Sequence, residues 1–115
     1  MTFHKIALEF NSLIAHRQFM ETLDYYDEDV MVADNLDNPV VGKAAWRTRV
    51  QDFADNASIN TIEVVSMSSE ENLSFTNWYY SFEHPRLGKF SGHRFSVQRW
   101  RDGKIIQENH FYQEK

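Results

Sequence analysis

The stretch that decides the fold is Arg99-Trp-Arg-Asp-Gly-Lys-Ile-Ile-Gln-Glu-Asn-His-Phe-Tyr-Gln-Glu-Lys115. Within it, Asp102-Gly103 predicts a hairpin, because glycine tolerates the positive φ that a tight two-residue turn requires. The strand after this turn places Ile106, Glu108, His110 and Tyr112 on one face and Ile105, Gln107, Asn109 and Phe111 on the other. Neither face is purely apolar. A carboxylate and an imidazole two residues apart therefore indicate that this strand lines a polar cavity.

Upstream of the hairpin, the sequence divides into helical segments followed by strands. Apolar residues recur at helical spacing over Thr2–Arg17, a shorter helix carries Phe19, Leu23 and Tyr26, and a third helix runs from Gly42 to about Asn56. A short strand covers Val30–Ala33, and the acidic residues before it are interpreted as a solvated helix end. The later strand-like runs are Ser58–Ser68, Asn72–His84, Phe90–Arg101 and Lys104–Tyr112. This order predicts an α+β domain whose antiparallel sheet curls around the helices.

Length, charge and cysteine content limit the class of protein. The 115 residues are enough for one domain with its own core, over residues 1–115. Seventeen acidic against twelve basic residues give a net charge of −5, which removes the electrostatic basis for nucleic-acid binding. The sequence predicts neither a membrane span nor a signal peptide, since apolar runs are short and the first ten residues carry charges. The absence of cysteine is compatible with a reducing cytoplasm, where we expect the protein to reside.

The sequence predicts no metal site and no cofactor. The five histidines lack the spacing typical of metal ligands, and the four glycines occur singly, so there is no loop that could cradle a phosphate. His84 and His93 flank the turn at residues 85–89 and are interpreted as exposed.

Three segments carry a resemblance to a known superfamily. They are Tyr26-Asp-Glu-Asp-Val-Met-Val-Ala-Asp34, Val41-Gly-Lys-Ala-Ala-Trp46 and Trp100-Arg-Asp-Gly-Lys-Ile-Ile-Gln-Glu108. In this order they resemble the nuclear transport factor 2-like superfamily, in its branch of SnoaL-like polyketide cyclases and ketosteroid isomerases. The resemblance covers nearly the whole chain. It implies one SnoaL-like domain: a cone-shaped barrel in which a strongly bent mixed or antiparallel sheet, as in cystatin-like folds, wraps around three N-terminal helices, with a pocket inside.

The resemblance transfers catalytic residues only in part. Asp34 matches the carboxylate that shuttles a proton in ketosteroid isomerases. The tyrosine and the protonated aspartate that hold the enolate there correspond to Phe10 and Ser96, which are poorer partners for an enolate. Steroid isomerisation is therefore not expected. SnoaL-type cyclases use an acid–base residue on the last strand, near the position of His110.

The strand register implied by the resemblance gives a set of pocket residues. Those expected to face the pocket are Arg94, Ser96, Gln98, Glu108, Tyr112, Trp78, Tyr80, Phe82 and Phe10, together with Asp34 and His110 as the proton-transfer groups. Asp34 could instead belong to a solvated turn, and His110 could be a structural histidine bonded to Glu108. Arg94 could pair with Glu108 across the strands, or bind a ligand carboxylate or enolate.

Two functions remain open on the sequence. One is a cofactor-independent lyase, isomerase or cyclase that acts on a small carbonyl or hydroxy compound. The other is a non-catalytic ligand-binding or dimerisation module. In both cases we expect a small organic ligand as partner and a homodimer formed through the outer sheet face, where Phe95, Val97, Ile105 and Phe111 would make an apolar patch.

Overall fold

The structure, a computed structural model that describes residues 2–113, has an α+β fold. Helix α1 spans Phe3–Ala15, a 3₁₀-helix spans Met20–Tyr25 and helix α2 spans Lys43–Asn56. The strands are β1 (Tyr26–Asp34), β2 (Val40–Val41), β3 (Ser58–Glu70), β4 (Leu73–His84), β5 (Gly88–Arg101) and β6 (Lys104–Phe111). They form one sheet in the order β2-β1-β6-β5-β4-β3. The sheet is mixed, since β1 runs parallel to β6 while the other neighbours are antiparallel. The predicted fold class is confirmed.

The region of the predicted second helix differs from the prediction. The 3₁₀-helix ends at Tyr25, and Tyr26 has extended backbone angles and pairs with Ile105 as the first residue of β1. The acidic residues interpreted as a helix end, Asp27, Glu28 and Asp29, therefore lie within β1. Because these residues are charged, a search for alternating apolar residues does not detect this part of the strand. Strand β2 was not predicted, because two residues carry no detectable period.

The Asp102-Gly103 hairpin is confirmed, with both residues at positive φ (52° and 76°) between the paired residues Arg101 and Lys104. A β-bulge follows at once. Arg99 pairs with Gln107 but Trp100 pairs with Ile105, so Ile106 is an extra residue on β6.

The bulge reverses the side-chain alternation at one point of β6. Ile105 consequently faces the helices and is completely buried, and its predicted place on the outer face is wrong. Beyond the bulge, Glu108 and His110 are buried on the same inner face, as the sequence predicted.

The core lies between α1 and the inner face of the sheet. Its buried residues are Ala7, Phe10, Tyr26, Val30, Val32, Trp100 and Ile105. Phe10 is fully buried and makes edge-to-face contacts with Tyr25, Tyr26 and Trp100 at centroid distances of 5.6–5.8 Å. Its predicted role as a pocket residue is wrong, because the ring fills the core and does not line the cavity.

No helix within residues 2–113 combines the length and the apolar character that crossing a membrane requires.

Candidate functional site

A cavity of about 490 Å³ lies between α2 and the inner face of the sheet. Its volume is in the range of cavities that hold small organic ligands. Among the predicted pocket residues it is lined by Asp34, Trp78, Tyr80, Phe82, Arg94, Ser96, Gln98, Glu108, His110 and Tyr112. The structure thus brings ten of the eleven predicted site residues to one cavity, and only Phe10 lies elsewhere. Their chemical roles stay predictions.

Two neighbouring strands place the polar residues of the cavity wall. In the β5–β6 register, Ser96 lies opposite His110 and Gln98 lies opposite Glu108. Because side chains of directly paired residues are about 4.5–5.5 Å apart at Cβ, each pair can make side-chain contact. The Ser96 hydroxyl lies 2.8 Å from His110 Nδ1, and Gln98 Nε2 donates to Glu108 Oε2 at 2.8 Å.

Glu108 is the centre of a buried polar network. Besides Gln98, the hydroxyl of Tyr26 donates to its Oε1 at 2.7 Å, and His110 Nε2 lies 3.1 Å from the same oxygen. Burial raises the pKa of the Glu108 carboxyl, but the His110 charge and the hydrogen bonds from His110, Gln98 and Tyr26 outweigh this, and the pKa lies below its ordinary value. The carboxyl is therefore ionised at neutral pH although its side chain is only 1% exposed.

The network continues behind Glu108 into the core. Gln98 Oε1 accepts from the Ser74 hydroxyl at 2.7 Å, and Ser74 in turn accepts from the indole N–H of Trp100 at 2.9 Å. With its amide group fixed in this way, Gln98 presents its N–H to Glu108. We conclude that the Glu108 carboxylate is held by side chains of the cavity wall, and that Gln98 among them is fixed in turn by Ser74 and Trp100, which do not line the cavity.

The contacts of His110 define which nitrogen is basic. An ionised carboxylate only accepts, so the 3.1 Å contact with Glu108 places a proton on Nε2. When the ring is neutral, Nδ1 therefore holds the lone pair and accepts from the Ser96 hydroxyl. Both His110 and Ser96 line the cavity.

Asp34 and Arg94 form an ion pair at the mouth of the cavity. Arg94 Nη2 lies 3.4 Å from Asp34 Oδ1, and the side chains are 20% and 50% exposed. Asp34 pairs with His110 in the parallel β1–β6 ladder, which brings the carboxylate beside the imidazole at a strand spacing of about 4.8 Å. The predicted alternative that Arg94 pairs with Glu108 is wrong, because Gln98 occupies the position opposite Glu108.

Aromatic rings form the rest of the wall. The Arg94 guanidinium lies over the rings of Tyr80 and Tyr112, at 5.6 and 5.1 Å from their centroids. Burial and the Glu108 charge raise the pKa of Tyr80 to about 12, against the opposing effect of Arg94. Tyr80 is thus a neutral phenol that lines the cavity, and it can serve as a hydrogen-bond donor.

The sequence reasoning missed several cavity residues, among them Tyr26, Trp46 and Arg49. Tyr26 was assigned to a helix, yet it lines the cavity and holds Glu108. Burial and the Glu108 charge raise the pKa of Tyr26 well above its ordinary value, so it stays a donor. Trp46 also lines the cavity, and its buried indole nitrogen makes no well-formed hydrogen bond. This nitrogen lies close to the Tyr26 hydroxyl and slightly offsets the rise in the pKa of Tyr26. Arg49 is exposed but also borders the cavity. Only the spacing of Trp46 and Arg49 on α2 offered a signal.

His84 was interpreted as exposed, and this is wrong. Its ring is 3% exposed and stacks on Phe53, and Nδ1 accepts from the backbone N–H groups of Arg86 and Leu87. Nε2 lies 3.1 Å from Asp52 Oδ2, though not in line for a hydrogen bond. These contacts fix the β4–β5 turn at one end of the cavity.

Within residues 2–113, no three His, Asp or Glu side chains come together in an arrangement that could hold a metal ion.

Comparisons with known proteins agree with this architecture. The profile of the SnoaL-like domain family matches residues 7–108. A candidate SnoaL-like polyketide cyclase from Mesorhizobium loti, also labelled a carbohydrate phosphatase, superposes with a TM-score of 0.83 at 19% identity, over 97% of this chain and 100% of that one. A nuclear transport factor 2-like protein of unknown function from Burkholderia xenovorans gives 0.76 at 18% identity, over 98% and 84% of the two chains.

A third similar structure contains a ligand. It is a ketosteroid isomerase-like protein from Catenulispora acidiphila in complex with trimethylamine, with a TM-score of 0.71 at 11% identity, over 93% of this chain and 84% of that one. Among curated proteins, none matches the sequence significantly. At these identities the structural matches establish the fold alone. Together with the family profile, they show that the chain belongs to the SnoaL-like domain family and has the nuclear transport factor 2-like fold.

Proposed function

We propose that this protein carries out cofactor-independent acid–base chemistry on a small carbonyl or hydroxy compound, as a lyase, isomerase or cyclase. The observation that carries the proposal is the Glu108–His110–Ser96 arrangement on the cavity wall. A buried, ionised carboxylate beside Nε2 leaves Nδ1 as the basic nitrogen of the neutral imidazole, in contact with Ser96 on the cavity wall. This is what general-base catalysis requires of a histidine.

In the proposed reaction, a ligand C–H or O–H takes the place of the Ser96 hydroxyl at His110 Nδ1 and gives its proton to that nitrogen. The imidazolium that forms is stabilised by the Glu108 carboxylate 3.1 Å from Nε2. Arg94, or the neutral Tyr80 hydroxyl, stabilises the negative charge that develops on the ligand oxygen. Asp34, next to His110 in the sheet, takes the proton over from the His110 imidazolium and delivers it to the ligand at a second position, so that both groups return to their starting state.

The surroundings of these groups support a functional role for them. Trp78, Phe82 and Tyr112 enclose the polar groups in an aromatic wall, where local polarity is low and charge interactions are strong. Burying a charged side chain where polarity is low costs folding free energy unless the charge is paired, so ionisable side chains retained there indicate a function. Several structural relatives are named as candidate cyclases or isomerases, including a protein from Rhodopseudomonas palustris, and this is in keeping with the proposal.

Proton exchange in D₂O tests the proposal without a known substrate. We would incubate a panel of small ketones, hydroxyketones and keto acids with the protein in D₂O and follow loss of the α-proton signal by NMR. Acid–base chemistry at a carbonyl should give exchange well above the buffer rate with at least one class of compound. A Ser96→Leu variant, which fills the cavity next to Nδ1, should abolish it. Binding of panel members without any exchange would contradict the proposal.

A non-catalytic binding module is the second candidate, and one observation favours it. Both ring nitrogens of His110 and both oxygens of Glu108 have protein partners, so the network is satisfied without a ligand. Such a network can be retained for structure alone. The same panel separates the two functions, because a binding module should be stabilised against heating by a ligand and catalyse no exchange.

We further propose that two copies associate through the outer face of the sheet. Phe75, Phe95, Val97 and Phe111 share this face: Phe75 pairs with Val97, and Phe95 with Phe111. Phe75 and Phe95 are 37% and 48% exposed. Ile105, which the sequence assigned to this patch, faces the core and is replaced in it by Phe75. An apolar surface of this kind is typical of a subunit interface.

The dimer is tested by sedimentation at micromolar concentration. The wild-type protein should sediment as a dimer, and Phe95→Asp should sediment as a monomer, because a charge at the centre of an apolar interface is costly. Leu36→Asp is the control, since Leu36 is 73% exposed in the turn after β1 and should leave the dimer intact. A monomeric wild type would contradict the proposed interface.

A further inference from the structure

We propose that the ligand of this cavity is a small aromatic carboxylate, bound by Arg94 at the mouth in place of Asp34. The inference rests on the proposed function in so far as the cavity must accept a small organic ligand. It adds the chemical class of that ligand and the orientation in which it binds.

The Arg94–Asp34 contact leaves most of the guanidinium unused. It is a single hydrogen bond of 3.4 Å, longer than the 2.7–2.9 Å typical of a charge-assisted bond, and its carboxylate is half exposed. Among residues 2–113, the Arg94 side chain makes no hydrogen bond other than this one. A guanidinium has five N–H donors in a planar fork that matches a carboxylate. A ligand carboxylate that binds both arms would therefore displace Asp34.

Arg94 is held ready for such a ligand. The rings of Tyr80 and Tyr112 lie within 5.6 Å of its guanidinium carbon and restrict the orientation of the fork. Its side chain is 20% exposed, so it is accessible from the cavity mouth but partly shielded from water. A partly buried, preorganised arginine binds an anion more strongly than a freely moving surface arginine does.

The charges around the cavity favour an anion as well. The protein is acidic overall, yet four basic residues line this cavity: Arg49, Arg86, Lys89 and Arg94. Of the three carboxylates that also line it, Asp52 pairs with Arg86, Glu108 belongs to the buried network and Asp34 pairs with Arg94. Arg49 and Lys89 have no acidic partner among residues 2–113. They leave a net positive mouth, which attracts anions.

The exposure of the wall residues sets the orientation of the ligand. The side-chain exposure rises from 1% at Glu108 and 10% at His110 to 20% at Arg94 and 50% at Asp34. A carboxylate at Arg94 thus lies near the mouth, and the body of the ligand extends inwards along Trp78 and Phe82. Aromatic side chains prefer to pack edge-to-face or offset against another ring. When the ligand carboxylate is bound by Arg94, the opposite end of the aromatic ligand lies near His110, and this end would carry the reacting group.

Calorimetry with three probes of the same shape tests the inference on the full chain. The probes are benzoate, benzyl alcohol and benzylamine, which differ mainly in charge. Benzoate should bind at least tenfold more tightly than the neutral or the cationic probe. Equal or tighter binding of benzylamine would overturn the inference and leave the pocket proposal standing. If none of the three binds at millimolar concentration, the pocket proposal fails and the inference fails with it.

Substitutions of Arg94 and of Asp34 are expected to change the affinity for benzoate in opposite directions. Arg94→Gln should weaken benzoate binding by about ten- to a hundredfold, the range for a lost hydrogen bond to a charged group. Asp34→Asn removes the internal competitor and should tighten it by about two- to fivefold, the range for an exposed ion pair. Arg99→Gln is the matched control on the same strand, since Arg99 is exposed and does not line the cavity, and it should leave binding unchanged.

The Asp34→Asn result is decisive for the displacement step. A structural role for the ion pair predicts equal or weaker benzoate binding in this variant, and that outcome would overturn the proposal. Tighter binding together with slower proton exchange would support it, because it separates the effect of Asp34 on ligand binding from its effect on the reaction.

Discussion

Replacing His110 with alanine is expected to lower the rate of ligand proton exchange by about two to four orders of magnitude, the usual range for the loss of general acid–base catalysis. The variant loses the basic nitrogen that Ser96 contacts, and Glu108 has no proton carrier left on the cavity side. Asp34→Asn should lower the rate within the same range if Asp34 is the second proton-transfer group. The measurement is α-proton exchange in D₂O with the best compound of the panel.

The matched control for this prediction is His93→Ala. His93 lies on β5 but is exposed on the other face of the sheet, where its ring contacts Asn77 and Tyr79. Its removal should leave the exchange rate within about twofold, as expected of a surface site with no contact to the cavity. Asp34→Asn should stay folded by circular dichroism, because the Asp34 side chain is half exposed. His110→Ala removes a partner of the buried Glu108 carboxylate and should be less stable, so its exchange rate is measured at a temperature where circular dichroism shows it folded. Full activity in either variant would exclude that residue from the mechanism.

Replacing Glu108 with alanine is expected to lower the free energy of unfolding by about 3–5 kcal/mol, the range for removing one partner of a buried ion pair. The change leaves the Tyr26 hydroxyl, the Gln98 amide and His110 Nε2, all in buried residues, without their common acceptor. Glu28→Ala is the control, since Glu28 also lies on a strand but its side chain is 85% exposed, and it should cost no more than about 0.5 kcal/mol. Urea unfolding at pH 7 measures both values. A cost below 1 kcal/mol at Glu108 would contradict the network as described.

The pH dependence of stability gives a second measurement on the same residue. The pKa of Glu108 in the folded protein lies below its ordinary value of 4.5, so the unfolded chain takes up the proton first as the pH falls. The stabilisation is therefore fully present above pH 4.5 and is lost as the pH falls through the folded pKa. Glu108→Gln keeps the side-chain volume and cannot titrate. The difference in stability between wild type and this variant should shrink below pH 4.5, and a constant difference from pH 7 to pH 3 would contradict the depressed pKa.

Much of the fold could be predicted because its signals are local. Asp102-Gly103 marks a turn by its backbone requirement alone, and strict alternation on the strand beside it gives the inner face. Alternation alone puts Glu108 and His110 on one face of β6. Ser96 lies opposite His110 only because the bulge at Ile106 shifts the register across the hairpin; without it, Ser96 would lie opposite Asn109. The sequence reasoning took the correct register from the family resemblance and not from the turn.

The errors arise where a distant contact overrides the local pattern. The prediction placed Ile105 on the wrong face because a bulge leaves Ile106 unpaired, and no residue in β6 marks that bulge. Tyr26 follows Phe19 and Leu23 at the spacing of a helix, but in the structure it pairs with Ile105 and belongs to the sheet. Phe10 was compared with a catalytic tyrosine through the resemblance alone. The ring is enclosed by partners far along the chain, which sequence spacing does not show.

The division of the cavity into a buried wall and an exposed mouth has a consequence for how such a protein can diversify. Glu108 accepts from Gln98, Gln98 accepts from Ser74 and Ser74 accepts from Trp100, so substitutions in this chain of hydrogen bonds are coupled and most of them are costly. Asp34 and Arg94 at the mouth share one exposed ion pair, and neither has a hydrogen bond to this network. New ligand preferences can therefore accumulate at the mouth one substitution at a time, while the buried Glu108 network changes only as a unit.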